Sequence, residues 1–359
     1  MHFGEPLEDD RLVDLLRPDE RIRTVMTADV YGAGQADSLL GRALQGVARE
    51  SYELVGAIGH DFYEGERDGP RGYPRFTDPR LRDPDGYRDY VLRATESSLE
   101  RCGADSFDLL LLHNPDRTGF ESPAVWEAMA AARAEGLTRS LGVAPGPANG
   151  FTLDLIGCLE RFGDRLDWAM VILNPLEPWP GELVLDAAAR NDVKVITRVV
   201  DYGGLFHDDV LPGHEFARGD HRGFRPAGWV ERGSERIDQL RPYADRLGLT
   251  MLQLACAWNL AHEAVECVAP TLIQEAGPDA KPIERKREEL ASLPDGHLLT
   301  DEEVAAIRAI GDNTGSMALK GASPEHDGGE RPDRWPVHAE HEELARRWGI
   351  EMGLLKQAA

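Results

Sequence analysis

The chain has 359 residues, 42% of them hydrophobic, with 64 acidic against 40 basic side chains and a formal charge of −24. That is ample apolar material for a sizeable core, and the negative balance argues against a nucleic-acid partner, whose phosphates would be repelled. No apolar run approaches the ~18 residues of a membrane span, and MHFGEPLEDD at the start lacks the basic and apolar regions of a secretion signal, so a cytoplasmic protein with no membrane partner is expected.

Only five of the basic residues are lysines, which suits a salt-adapted or GC-rich background. The four cysteines, Cys102, Cys158, Cys256 and Cys267, have no ligand spacing and read as small core residues in a reducing compartment.

Apolar, β-branched runs alternate with helical patterns along the chain. The strand candidates are TVMTA near 24, LVGAI at 54, FDLLLLH at 107, RSLGVA at 139, WAMVIL at 168, VKVITRV at 193 and CVAP at 267. Ser122 and Pro123 form an N-cap and first-turn pair for one helix, which Gly136 closes. TMLQLACAWNL, from Thr250, is another helix, apolar enough to lie against a sheet. This alternation predicts an α/β fold, a (β/α)8 TIM barrel in one domain over 1–359. YGAGQADSLLG is only superficially a dinucleotide fingerprint, because no G-x-x-G continuation follows.

Two polar insertions, 60–85 and 201–228, follow strands and are expected to overhang the barrel mouth, where loops carry function. A third cover is the Pro/Gly-rich tail from about 315 to 337. The helical HAEHEELARRWGIEMGLLK beyond it is expected to pack on the outside.

YGAGQADSLLGRAL, SLERCGADSFDLLLLHNPD, WEAMAAARAEGLTRSLGV and GLTMLQLACAWNL together resemble the aldo-keto reductases, over about residues 22 to 312. The resemblance implies a barrel that reduces carbonyls with NADP or NAD, through an Asp, a Tyr, a Lys and a His. Tyr31 matches the tyrosine and His113 the histidine. The aspartate position holds Met26 and the lysine position Ala57; the first lysine anywhere in the chain is Lys194.

That replacement is physically coherent. A buried ammonium lowers the pKa of a neighbouring phenol, and a carboxylate compensates the ammonium. Replacing both by apolar groups strands no charge, but it leaves Tyr31 without its activating cation unless Arg198 substitutes.

The cofactor contacts implied by the resemblance have also changed. Ala144 and Pro145 stand where Ser-Asn would hold the nicotinamide carboxamide. Met170, Leu173 and Asn174 stand in the next strand's Gln and Tyr-Asn positions, and Arg198 replaces the stacking aromatic. PIERKREEL keeps Arg285 and Glu288 in register, with Glu289 in place of an Asn. Asn174, Arg285 and Glu288 are therefore the cofactor-binding candidates.

The catalytic candidates are Tyr31, His113 and Arg198; the substrate-binding candidates are His60, Asp61, Asn114, Asp201 and Tyr202. Arg198 lies inside an apolar strand and needs an anion, which Asp201, three residues on, or a ligand could supply. His60, Asp61 and Glu64, and His207, Asp208, Asp209, His214 and His221, match no metal-site spacing; solvated loop or polyol contacts are expected, and no metal.

Three readings stay open. The first is an aldo-keto-reductase-like oxidoreductase acting on a small polar carbonyl or hydroxyl compound, sugar-derived in its most specific form. The second is a non-redox lyase, dehydratase or isomerase using Tyr31 and His113. The third is a non-catalytic binding or sensor barrel. A small-molecule ligand is common to all three, and a homo-oligomer is compatible with each.

Overall fold

The computed structural model describes residues 3–69, 72–147, 151–315 and 336–355. Most of the expected tail, 316 to 335, lies outside the described residues. Seven strands form one parallel sheet in chain order: β1 (Thr24–Met26), β2 (Glu53–Ile58), β3 (Phe107–His113), β4 (Thr138–Ala144), β5 (Trp168–Ile172), β6 (Lys194–Arg198) and β7 (Val265–Ala269). The helices are α1 (Asp9–Leu16), α2 (Gln35–Leu44), α3 (Tyr87–Cys102), α4 (Arg117–Glu121), α5 (Pro123–Ala134), α6 (Phe151–Phe162), α7 (Leu185–Arg190), α8 (Trp229–Leu247), α9 (Met251–Leu260), α10 (Ile283–Ala291), α11 (Asp301–Ile310), α12 (Ala339–Trp348) and α13 (Met352–Leu355).

Strand side chains alternate between two faces. On one face Ala28, Val55, Ala57, Leu109, Leu111, Ala144, Met170 and Ile196 form a cluster, joined by Met26, Trp168, Cys267 and Ala269. All seven strand segments contribute, so the sheet must curl around this face. On the other face Leu110, Leu112, Ala169, Val171 and Val195 pack into the larger core with the helices, beside Trp126 and Trp258. Burial on both faces is why these strands read as continuous apolar runs.

The eighth strand of the expected barrel is absent among the described residues, and β1 and β7 are the sheet's edges. The residues that precede β1 are short of β-branched and aromatic side chains. DDRLVDLL instead makes the amphipathic helix α1, while Gly4 N donates to Asp220 Oδ2 at 2.7 Å and Glu5 N to Gln274 O at 2.8 Å. Arg11 on α1 pairs with Glu284 on α10 at 2.7 Å, and Arg287 pairs with Asp19 at 2.7 Å.

Helix punctuation is mixed. Thr250 caps α9 with a reciprocal capping box to Gln253. Ser122 occupies the N-cap of α5 in extended conformation, but its side chain makes no capping bond; Pro123 carries the start of the helix. At the far end α12 lies on α6, where His341 Nε2 and Asp154 Oδ1 are 2.8 Å apart in a buried contact. Among the described residues no helix is long and apolar enough to cross a membrane.

Candidate active site

His113 ends β3 and Arg198 ends β6. Each follows an inward-facing residue by two positions, Leu111 and Ile196 respectively, so each stands one pleat above the apolar interior. Both are followed by a non-glycine residue in the left-handed region: Asn114 at φ 47° and Val199 at φ 59°. For a β-branched valine this is strained backbone, typically held by its surroundings at functional sites. Asn174 supplies part of the hold, because its Nδ2 donates to Val199 O at 3.1 Å.

Tyr31 reaches the same mouth from the turn after β1. Gly32, Ala33 and Gly34 all have positive φ there, which throws the tyrosine off the strand end. Its ring meets His113 edge-on at 5.6 Å between centroids, and His60 meets His113 edge-on at 5.7 Å. The loop after β2 folds back to make this possible. His60 bridges Arg75, Phe76 N donates to Gly59 O at 2.9 Å, and Arg75 Nε donates to Asn114 O at 3.0 Å.

The electrostatics are those of a neutral, proton-bearing cluster beside cations. Nδ1 of His60 lies 3.0 Å from Tyr73 O, and its Nε2 3.3 Å from Asn114 Nδ2, so the proton sits on Nδ1 and Nε2 accepts. Burial, then Arg75, brings the His60 pKa down to about 4. Burial pushes His113 well below the usual imidazole value, with His60, Arg198 and Arg75 adding to the effect, and its Nδ1 has no hydrogen-bond partner. Although 52% of Tyr31 is exposed, the desolvation around it raises its phenol above the ordinary value, and Arg198 acts in the opposite sense.

Arg198 forms no ion pair among the described residues; Nη2 donates to Pro145 O at 3.0 Å. The expected partner Asp201 is engaged elsewhere. Its fully buried carboxylate accepts from Gly204 N at 2.9 Å and from Thr271 N at 2.7 Å. The left-handed turn at Val199 redirects the chain between the two residues.

The structure thus brings Tyr31, His60, His113, Asn114 and Arg198 together. Asp61 is fully buried, where it accepts from Tyr63 N and Glu64 N and pairs with Arg82. Tyr202 lines a separate cavity of about 410 Å³ with Glu177 and Trp229, beneath Arg225 at 4.5 Å. Asn174 is fully buried and also accepts from Leu176 N and Glu177 N, both at 2.9 Å. Arg285 and Glu288 form an exposed pair with each other on α10.

No group of three or more metal-ligating side chains occurs among the described residues. Asp208 pairs with Arg241, and Asp209 with the buried Lys286. Arg75 is a mouth residue that the sequence does not single out. Nothing in its loop announces the antiparallel bridge to His60.

The pattern of the aldo/keto reductase family matches residues 8–312, and the chain belongs to that family of oxidoreductases. A probable voltage-gated potassium channel subunit beta of Arabidopsis thaliana is 22% identical over 294 residues, 76% of this chain and 81% of the relative. A D-threo-aldose 1-dehydrogenase of Pseudomonas sp. is 28% identical over 203 residues, 52% of this chain and 58% of the relative. An aldo/keto reductase of Klebsiella pneumoniae, solved in complex with NADP and acetate, shares the fold with a TM-score of 0.58 and 20% identity, covering 93% of each chain.

The family implies a nicotinamide cofactor, and the residues here do not fit its carboxamide end. Ala144, Pro145 and Met170 offer no polar side-chain atom, and Asn174 is engaged in its own turn. Met26 and Ala57, at the aspartate and lysine positions, share the apolar inner cluster.

Proposed function

We propose that this family member is an oxidoreductase acting on a small polar carbonyl or hydroxyl compound, sugar-derived, at the mouth formed by Tyr31, His113 and Arg198. The observation that carries the reading is the meeting of Tyr31 with a buried, neutral His113 in a chain of this family. The phenol keeps its proton at neutral pH and offers it to a substrate oxygen. His113 orients that oxygen, and Arg198 stabilises charge that develops on it.

The D-threo-aldose dehydrogenase relative supports a sugar-like substrate, and the NADP held by the Klebsiella relative supports NADP or NAD as redox partner. Because Ala144, Pro145 and Met170 present no polar group to the carboxamide, that partner is held through other parts of the molecule. His60 and Asn114 would touch the substrate. A cytoplasmic location and a single domain over 1–359, with loops 60–85 and 201–228 flanking the mouth, belong to the same proposal.

The test is NADPH oxidation with small polar aldehydes and ketoses, comparing the wild type with Tyr31→Phe. A slow rate that Tyr31→Phe abolishes is expected. A Tyr31→Phe protein that works as fast as wild type sinks the reading.

A second reading, a non-redox lyase, dehydratase or isomerase, is favoured by Arg198, which has no carboxylate partner among the described residues, above an apolar Met26–Ala57 floor. Solvent deuterium entering the substrate without any nicotinamide would mark it.

A further inference from the structure

The proposed site has a charge pattern opposite to that of the whole chain. The protein carries −24, yet the fixed charges at its mouth are arginines. Arg75 lies over Asn114 and acts on both His60 and His113; Arg198 acts on His113 and Tyr31. Among the described residues no carboxylate acts on His60, His113, Tyr31 or Arg198 strongly enough to shift them.

A part-buried guanidinium with no carboxylate is an unfavourable arrangement for the free protein, since arginine cannot relieve burial by losing its proton. Among the described residues one of its five N–H groups is engaged, by Pro145 O. Phe151, Leu155 and Trp179 wall the small pocket beside it.

We infer that the substrate is an anion, and that its carboxylate or phosphate group docks on Arg198. This rests on the reading of Tyr31 and His113 as the site, and it narrows the substrate to an acid or phosphate ester of a small polar compound. The acidic surface does not prevent entry. Exposed charges beyond roughly 8 Å are screened at physiological salt, so the groups lining the mouth decide the local potential. Both arginines keep their charge throughout the ordinary pH range, and the two histidines stay neutral. The docking is therefore insensitive to pH between about 6 and 8, apart from any proton the ligand itself binds.

The experiment is calorimetric titration of the full chain, at fixed ionic strength, with glucose, gluconate and glucose 6-phosphate. At least one of the two anions should bind about tenfold to a hundredfold more tightly than glucose, the range one charge-assisted hydrogen bond commands. The preferred anion tells carboxylate from phosphate. Arg198→Met should erase the preference while Arg198→Lys keeps part of it, with circular dichroism and melting showing both variants folded. Should Arg198→Met fail to fold, the wild-type preference and its competition by inorganic phosphate still decide.

Glucose binding as tightly as both anions overturns the inference. So does a preference that survives Arg198→Met, or no binding of either anion up to ~10 mM. The outcome is separable from the fate of the oxidoreductase reading. Anion binding through Arg198 without any hydride transfer keeps this inference and removes that reading; reduction of neutral sugars without anion binding does the reverse.

Discussion

Met26 and Ala57 belong to one apolar cluster on the inner face of the curled sheet, directly below the mouth that holds Tyr31 and His113. An aspartate and a lysine at these two places would be a buried ion pair; here neither charge exists, and neither is stranded. Ala57→Lys alone should cost about 3–5 kcal/mol, because it buries an unpaired charge, and Met26→Asp alone, at a part-buried position, less. The double variant should recover more than about 1 kcal/mol of the sum. Urea unfolding of the four proteins measures this, and strictly additive losses would show that the two positions do not face a shared space.

Asn174 holds Val199 O and accepts from two backbone amides while fully buried. We expect Asn174→Ala to lower stability by about 2 kcal/mol or more, since it leaves a buried amide without an acceptor and releases the left-handed turn beside Arg198. A residue that served only to touch a cofactor would leave the unfolding midpoint where it was.

The strands are most legible in the sequence where they are buried along most of their length, as β2, β3 and β5 are, while β1 and β7 at the edges keep exposed positions. His113 stands out for a related reason, as a polar residue closing such a run. Arg198 is legible as an anomaly, but its partner is not. Asp201 is near in sequence, and only the left-handed conformation of Val199, which no local preference of a β-branched residue favours, sends it toward Thr271 instead. Arg75 escapes notice because its position depends on a loop folding back by fifteen residues onto His60. The eighth strand fails for a compositional reason: the segment before β1 prefers a helix.

Asp29, two residues before Tyr31, is fully buried, and among the described residues its carboxyl oxygens make no well-formed hydrogen bond. Burial raises its pKa well above the ordinary value, Asp37 and Asp61 add to the rise, and Arg101 and the Val30 backbone amide oppose it. A carboxyl whose folded pKa exceeds its unfolded one binds more protons in the folded state, so stability falls as pH rises. The fall begins near the unfolded value of about 4 and continues up to the raised folded value, at about 1.4 kcal/mol per unit. Asp29→Asn should therefore gain on the wild type between about pH 5 and 8. Melting temperatures across that range check it, and parallel curves would contradict it.

NADPH should bind weakly. Ala144, Pro145 and Met170 each forgo roughly 0.5–1.5 kcal/mol of hydrogen bonding to the carboxamide. Calorimetry should give a dissociation constant well above the micromolar range; a sub-micromolar value would mean that other groups replace those hydrogen bonds in full.

Tyr31 keeps its place beside His113, but Ala57 stands at the lysine position, and Arg198 is the cation left to act on the phenol. Steady-state NADPH oxidation with a common aromatic aldehyde at pH 7 tests this most directly. The phenol is held above its ordinary pKa, with only Arg198 opposing. The predicted turnover is therefore orders of magnitude below the ~10 per second of a typical enzyme. A turnover near ~10 per second, abolished by Tyr31→Phe, would contradict it.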